Sequence, residues 1–100
     1  MKPIKFFSDA EMEMRESSKY YESQQKDLGK RFLNSVENAI KHIQINPKIF
    51  QKVHKNICRC QTKVFPHGII FRDQRDQIEI IAIMHLDRKP GYWKDRLLER

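Results

Sequence analysis

The spacing of hydrophobic residues in this chain changes at Asn46-Pro47. Upstream, apolar side chains recur at helical spacing, most clearly in the stripe Leu28, Phe32, Val36, Ala39, Ile40 and Ile43. Downstream, short runs either alternate between apolar and polar residues or are continuously apolar, as strands do. The residue before a proline avoids helical backbone. The chain is therefore expected to form helices first and a sheet afterwards.

The residues before Pro47 predict one strand and a helical hairpin. The expected elements are an edge strand at Lys2–Phe7 and helices at about Asp9–Lys26 and Leu28–Gln44. Ser8 and Glu11 are spaced as in a capping box, which would start the first helix. That helix has a weakly apolar face formed by Ala10, Met14, Ser17 and Tyr21. It is therefore expected to pack on one side only.

The residues after Pro47 predict three further strands. A connection at Lys48–Asn56 leads to strands at Ile57–Val64, Ile69–Arg72 and Ile78–Met84, with a turn at Phe65–Gly68 and a polar loop at Asp73–Gln77. The last strand is almost continuously apolar, which favours an interior position. His85–Trp93 is expected to be irregular, and Lys94–Arg100 to form a last helical turn or two.

This order of elements is typical of an α+β fold in one domain over residues 1–100. The expected architecture is an N-terminal strand, a two-helix hairpin, a three-stranded antiparallel meander and a short C-terminal helix. The second helix should cover one face of the sheet, and the first strand should lie beside a later strand.

The net charge of +7 comes from one segment. Asn38–Arg72 contains no acid and seven bases, namely Lys41, Lys48, Lys52, Lys55, Arg59, Lys63 and Arg72. Such a tract suggests a polyanion or an acidic protein as partner, gathered at one docking surface. The alternative is a solvated basic face without a ligand.

Neither a metal nor a cofactor is expected. Alternation places Cys58 and Cys60 on one strand face and Arg59 on the other. Two further zinc ligands at suitable spacing are missing, so the cysteines are interpreted as small buried hydrophobes. The three glycines are scattered, which excludes a glycine-rich phosphate loop. No apolar run is long enough for a signal peptide or a spanning helix, so a cytoplasmic location is expected.

The densest group of polar and aromatic residues runs from His85 to Arg96. His85 could exchange a proton near neutral pH, and Arg88 and Arg96 could hold a phosphate or a carboxylate. Tyr92 and Trp93 could stack on a base or fill an interface pocket, although packing on the core is the favoured role of Trp93. If the sheet face that bears Arg59 and Lys63 is exposed to solvent, those two residues would make a basic groove wall next to His85 and Arg88.

These fragments together resemble the RelE/ParE superfamily of type II toxin–antitoxin toxins. The resemblance is carried by Tyr20-Tyr21-Glu22, Leu28-Gly29-Lys30-Arg31-Phe32, the stop at Asn46-Pro47, Arg59, Phe65–Phe71, and the run from His85 through Arg88, Pro90 and Tyr92-Trp93 to Arg96. It implies a helical hairpin on an antiparallel sheet, a toxin that inhibits growth and serves in plasmid stabilisation, and a neighbouring antitoxin that wraps over it.

The resemblance leaves the cellular target open. ParE-like members act on DNA gyrase without being hydrolases, and here the target or antitoxin would be bound by Arg59, Lys63, Arg88, Trp93 and Arg96. RelE-like members cut mRNA on the ribosome, and here His85, Arg59, Arg88 and Tyr92 would be the catalytic residues. Gly68 and Gln61 stand where such nucleases typically have an arginine and a lysine, which favours the ParE-like branch. The third hypothesis is a non-toxic binding module with the same fold.

Overall fold

A computed structural model of the chain describes residues 1–98. Its strands are β1 (Ile4–Phe6), β2 (Gln51–His54), β3 (Ile57–Gln61), β4 (His67–Asp73) and β5 (Ile78–His85), and its helices are α1 (Ser8–Gln24) and α2 (Leu28–Ile45). Short 3₁₀ turns occupy Pro47–Ile49 and Tyr92–Leu97. Of the expected C-terminal helical turn, residues 99 and 100 lie outside the described part of the chain.

The five strands form one sheet in the order β1-β5-β4-β3-β2. β1 runs parallel to β5, and the other neighbouring pairs are antiparallel. The α+β prediction is therefore confirmed, as are the edge position of β1 and the interior position of β5. The helical hairpin connects the edge strand to the antiparallel part of the sheet.

The helices cover one face of this sheet. From α2, Phe32, Val36, Ala39 and Ile43 are buried, and Ala10 is the buried residue of α1. The strands contribute Cys58, Cys60, Ile69, Phe71, Ile80 and Ile83 to the same core. Both cysteines are free and buried, as predicted, and the Cys60 thiol lies 4.0 Å from the Ala39 carbonyl oxygen of α2. The α2 stripe is thus the side of the helix that packs on the sheet.

The opposite face of the sheet is covered by the segment that follows β5. The strand register aligns Arg59, Ile70 and Ala82, so these three residues point away from the helices. Trp93 packs against this face and is 2% exposed. The packing role predicted for Trp93 is therefore confirmed, and the second apolar face of the sheet is closed by 13 residues, 86–98.

The segment between Pro47 and β3 contains a strand that the sequence pattern had not predicted. Three of the four β2 residues are exposed, so no apolar alternation marks the strand in the sequence. β2 exists because it pairs with β3 along Gln51–Arg59 and Lys52–Cys58. Backbone pairing with a neighbour, rather than burial of side chains, places this edge strand.

Three local predictions were wrong. Ser8 is not a capping residue, because Phe7 is the N-cap and its carbonyl accepts the Glu11 amide at 3.0 Å. The Phe65–Gly68 turn begins and ends earlier, and His67 already belongs to β4. Val64 does not share the buried face of Cys58 and Cys60, since it is 88% exposed with φ at +74°. A tight turn after Gln61 takes the chain out of the strand, and it places a β-branched residue in the left-handed region.

The helical hairpin closes around Gly29. A methyl group added there would lie 2.5 Å from the carbonyl oxygen of Ser18 in α1, so the two helices approach each other across a bare Cα. The Gly29 amide also donates to Glu22 Oε1 at 3.0 Å. The Leu28-Gly29 pair therefore begins α2 and also sets its distance from α1.

We expect Gly29→Ala to lower the free energy of unfolding by about 2 kcal/mol, because the added methyl group overlaps backbone that cannot move aside. Alanine alone would favour the helix by up to about 1 kcal/mol, so the sign of the change is diagnostic. Urea denaturation of the purified protein measures it. Lys30→Ala, at the adjacent exposed position, is the control and should change stability by less than about 0.5 kcal/mol. A Gly29→Ala protein as stable as the wild type would contradict the close approach.

Candidate functional site

A cluster of polar side chains closes the edge of β5 beyond the end of β1. β1 pairs with β5 only as far as Phe6–Ile80, so the later backbone groups of β5 on that side have no strand beside them. Glu13 of α1 accepts the Ile83 amide at 3.0 Å, and Arg96 donates to the Ile81 carbonyl at 2.9 Å. Two side chains thus satisfy the backbone groups that a strand would otherwise satisfy.

The same Glu13 carboxylate holds the C-terminal segment. The Tyr92 hydroxyl donates to it at 2.5 Å, and the Arg96 guanidinium donates two hydrogen bonds to it, both 2.9 Å long. Asp9 lies 3.5 Å from the other side of Arg96. We call Glu13, Tyr92 and Arg96 the edge cluster.

Protonation in the edge cluster is fixed by these contacts. Burial, reinforced by the bond to Glu13, raises the pKa of the Tyr92 phenol well above its ordinary value of 10.0. Burial would lower the pKa of Arg96, but the bonds to Glu13 outweigh that effect and raise it. Tyr92 is therefore a neutral donor, and Arg96 is a cation already matched by the chain's own carboxylates.

Arg59 and Trp93 lie together on the sheet face opposite the helices. They line a small pocket of about 210 Å³ together with Lys94. Gly68 leaves room for the Arg59 side chain, since a methyl group there would lie 3.0 Å from Arg59 Cδ. Arg59 makes no ion pair with any residue from 1 to 98, so its charge remains available to a partner.

His85 belongs to a different neighbourhood, on the helix side of the sheet. Its ring centroid lies 5.1 Å from that of His67, its partner across β4 and β5. Its Nδ1 atom accepts the Asp87 amide at 3.0 Å. Ala82, which is aligned with Arg59, and His85 are three residues apart on β5, so their side chains point to opposite faces.

The remaining two predicted site residues lie apart from each other. The Arg88 guanidinium stacks on the Tyr92 ring, 4.0 Å from its centroid. Lys63 is exposed in the turn after β3, where its carbonyl accepts the Ser35 hydroxyl of α2 at 2.8 Å. Of the seven predicted site residues, side-chain contacts join Arg88, Tyr92 and Arg96 into one group, and Arg59 and Trp93 line one pocket. His85 is linked to the first group by a backbone hydrogen bond from Arg88, 3.0 Å long, and Lys63 lies apart.

The expectation of one docking surface is therefore wrong, and so is that of an Arg59 groove wall next to His85. The basic tract from 38 to 72 folds into α2, a hairpin and two strands, which distributes its charges over several sides of the sheet. Some of them are also neutralised internally, as in the Arg72–Glu79 pair at 2.7 Å. Strand alternation sends neighbouring cations to opposite faces, and composition alone does not reveal this.

The sequence analysis placed His67 in a turn, Phe-Pro-His-Gly, and did not predict its burial at the start of β4. The ring is 2% exposed, with Nε2 3.1 Å from the Tyr21 hydroxyl and a buried Nδ1 that has no partner among the described residues. Burial, with a contribution from His85, lowers its pKa from 6.5 to about 4, although Glu13 acts in the other direction. His67 is therefore neutral at physiological pH.

Neither a metal centre nor a membrane span is found in residues 1–98. Within this range, His, Cys, Asp and Glu side chains form no group of three or more suited to a metal ion. No helix here combines the length and the apolar character needed to cross a bilayer.

Comparison with known proteins identifies the family. Residues 4–90 match the family described as the ParE toxin of the type II toxin–antitoxin system parDE. This chain belongs to the ParE toxin family. It is a type II toxin–antitoxin toxin, and the predicted RelE/ParE resemblance is confirmed. The edge cluster joins residues within the match, such as Glu13 and Ile83, to Tyr92 and Arg96 beyond it.

A solved structure shows the same fold. It is described as the chromosomal ParDE toxin–antitoxin system from P. aeruginosa, and its chain is 13% identical with a TM-score of 0.63. The match covers 87% of this ParE-family chain and 98% of that one. Curated protein sequences give no significant match.

We expect Glu13→Ala to lower the free energy of unfolding by about 3 kcal/mol, because it leaves the largely buried Arg96 cation and the Ile83 amide without their acceptor. Thermal unfolding followed by circular dichroism measures the change. Glu16→Ala, at an exposed position on the same helix, is the control and should shift stability by less than about 0.5 kcal/mol. Equal effects of the two substitutions would contradict the edge cluster.

We expect acid to destabilise the protein through His67. The unfolded chain takes up a proton at this residue as the pH falls through about 6.5, whereas the folded protein does so only near pH 4. The contribution of neutral His67 to the free energy of unfolding is thus fully present above pH 6.5. It falls by up to roughly 3 kcal/mol as the pH drops from 6.5 to 4. Urea titrations at several pH values should show a smaller loss in His67→Gln than in the wild type. The exposed His42→Gln control should keep the wild-type slope, and an unchanged slope in His67→Gln would refute the assignment.

Proposed function

We propose that this ParE-family toxin arrests growth by binding DNA gyrase, without cutting nucleic acid, and that a cognate antitoxin neutralises it in the cytoplasm. The family match supports the toxin role, and the solved relative is described as a two-component ParDE system. The choice of gyrase over ribosome-bound mRNA is supported by the arrangement of the polar side chains.

The observation that carries this choice is the placement of Arg59 and His85, two of the four residues a nuclease would use, on opposite faces of the sheet. An endoribonuclease needs a base and cations within about 3 Å of one reacting phosphate. Arg59 and His85 point to opposite sheet faces, and the Tyr92 hydroxyl is bound to Glu13. Arg88 stacks on Tyr92, and its backbone amide donates to the His85 carbonyl at 3.0 Å, so neither contact brings it to Arg59. This geometry favours action by binding over phosphodiester cleavage.

For the contact with gyrase, we assign Arg59 and Arg88. Both guanidinium groups are free of ion pairs with residues 1–98, and each rests against the C-terminal segment, Arg59 beside Trp93 and Arg88 over Tyr92. Trp93, beside Arg59, and Arg96, beside Tyr92, act as supports of these two arginines, because the first is buried and the second is matched by Glu13. Lys63 lies on a different side and is assigned to the antitoxin.

We expect the purified protein to inhibit DNA supercoiling by gyrase, and Arg59→Ala to raise the concentration for half inhibition by about tenfold, as loss of a central interface arginine does. A gel assay of plasmid supercoiling measures both. Arg75→Ala, which removes an exposed arginine in the loop between β4 and β5, is the control and should inhibit like the wild type.

The competing functions give different outcomes in the same cells. Mapping RNA 5′ ends after induction of the gene alone should show no new codon-phased cuts. Cuts that disappear in His85→Ala would contradict the gyrase assignment and favour the ribosome-dependent nuclease. Normal growth on induction would instead indicate a non-toxic binding module.

A further inference from the structure

A groove lies between α2 and the turn that follows β3, away from Arg59 and the edge cluster. It has a volume of about 610 Å³. Ala39, Cys60 and Phe65 form its apolar floor, and Arg31, Lys41 and Lys63 contribute its positive charges. We call it the α2 groove.

The charges around the α2 groove have one sign. No aspartate or glutamate lines it. The side chains of Arg31 and Lys63 make no ion pair with residues 1–98, and Lys41 has only an exposed partner on its own helix, Glu37 at 3.3 Å. An anionic partner would therefore meet cations that need not be released from strong internal bonds.

Two exposed apolar side chains also line the α2 groove. Ile45 is 71% exposed at the C-terminal end of α2, and Val64 is 88% exposed in the turn. Val64 holds a backbone φ of +74°, a region that costs a β-branched residue about 1–3 kcal/mol. Glycine or asparagine would fit this turn better, so the backbone conformation does not account for a valine at this position. Its exposed side chain is suited to contact with a partner.

The α2 groove is already formed in the isolated chain. The Ser35 hydroxyl ties the turn to α2 through the Lys63 carbonyl, and Thr62 donates to the Phe65 carbonyl at 2.8 Å inside the turn. β2 pairs with β3 only as far as Arg59, which leaves Gln61 without a strand neighbour on the outer side. A partner would thus find a rigid surface with little ordering cost.

We propose that the α2 groove is the docking site for an acidic segment of the cognate antitoxin, whose apolar side chains cover Ile45, Val64 and the floor while its carboxylates meet Arg31 and Lys63. This inference rests on the proposed toxin function and gives its inhibitor a place. Single-stranded nucleic acid fits less well, because it uses exposed aromatic rings for stacking, whereas the exposed side chains here are aliphatic and Phe65 is buried.

The test uses the purified full-length chain and the full-length product of the adjacent small gene, with affinity measured by titration calorimetry. Lys63→Glu and Val64→Gly should each weaken binding by about tenfold or more, as expected for loss of a rim charge pair and of a buried apolar contact. Lys30→Glu is the matched control. It reverses a charge next to Arg31 on α2 but outside the groove, and it should change the affinity by less than about twofold.

The Val64→Gly variant separates binding from folding. Because glycine tolerates a positive φ, the variant should unfold at the same urea concentration as the wild type or a higher one. Weaker binding by a protein that is at least as stable cannot be attributed to misfolding.

Three results would overturn the proposal. The first is wild-type affinity for the antitoxin in both groove variants. The second is equal weakening of antitoxin binding by Lys63→Glu and Lys30→Glu. The third is that the groove variants lose binding to a labelled 20-nucleotide RNA, used as a probe, while their antitoxin binding is unchanged. Absence of binding by the wild type would overturn this proposal and the antitoxin part of the proposed function together. Antitoxin binding that follows the expected pattern, in a protein that leaves gyrase active, would overturn the target alone.

Discussion

One carboxylate determines how this molecule is closed. β1 is only three residues long and leaves the distal half of β5 with an open edge. Glu13 and Arg96 take the place of the missing strand at Ile83 and Ile81, and the same Glu13 binds Tyr92. Since Tyr92 and Trp93 are adjacent, this contact also sets the indole on the second face of the sheet. The contact therefore helps to cover both the open edge of β5 and the apolar face behind Arg59.

This arrangement supports the proposal that the polar C-terminal segment binds a partner and does not cut nucleic acid. A tyrosine, two arginines and a histidine within twelve residues look like the equipment of a phosphodiesterase. In the fold, however, Tyr92 and Arg96 are hydrogen-bonded to Glu13 in the edge cluster, and His85 faces His67 on the helix side of the sheet. The side chains without an ion pair to residues 1–98 include Arg59, Arg31 and Lys63, and Arg59 lies on a different part of the surface from the other two. The proposed contacts with gyrase and with the antitoxin use separate surfaces, one around Arg59 and one at the α2 groove.

The sequence alone predicts the parts of the fold that depend on repeated apolar spacing. Regular burial of side chains places the α2 stripe, the continuous β5 run and the two free cysteines of β3, and all three are predicted correctly. The end of α2 before Pro47 is also predicted correctly. The parts that depend on backbone pairing or on one long-range contact were not predictable. β2 is an exposed strand held by β3, Val64 leaves its strand in a turn, and the Glu13–Arg96 contact joins residues 83 positions apart. The candidate site is the hardest part to predict from sequence, because long-range contacts such as Glu13–Arg96 determine which charged side chains lack an internal partner.

Amide hydrogen exchange at Ile83 tests the central role of the edge cluster most directly. Because strand alternation turns this amide away from β4, its hydrogen-bond acceptor is the Glu13 carboxylate and not a neighbouring strand. The account predicts that Ile83 in the wild type exchanges as slowly as the paired amides of β5, and that its protection falls at least tenfold in Glu13→Ala while amides in α2 remain protected. Fast exchange at Ile83 in the wild type would mean that the β5 edge is open. In that case Tyr92 and Arg96 would be free after all, and the case for a binding toxin would fail.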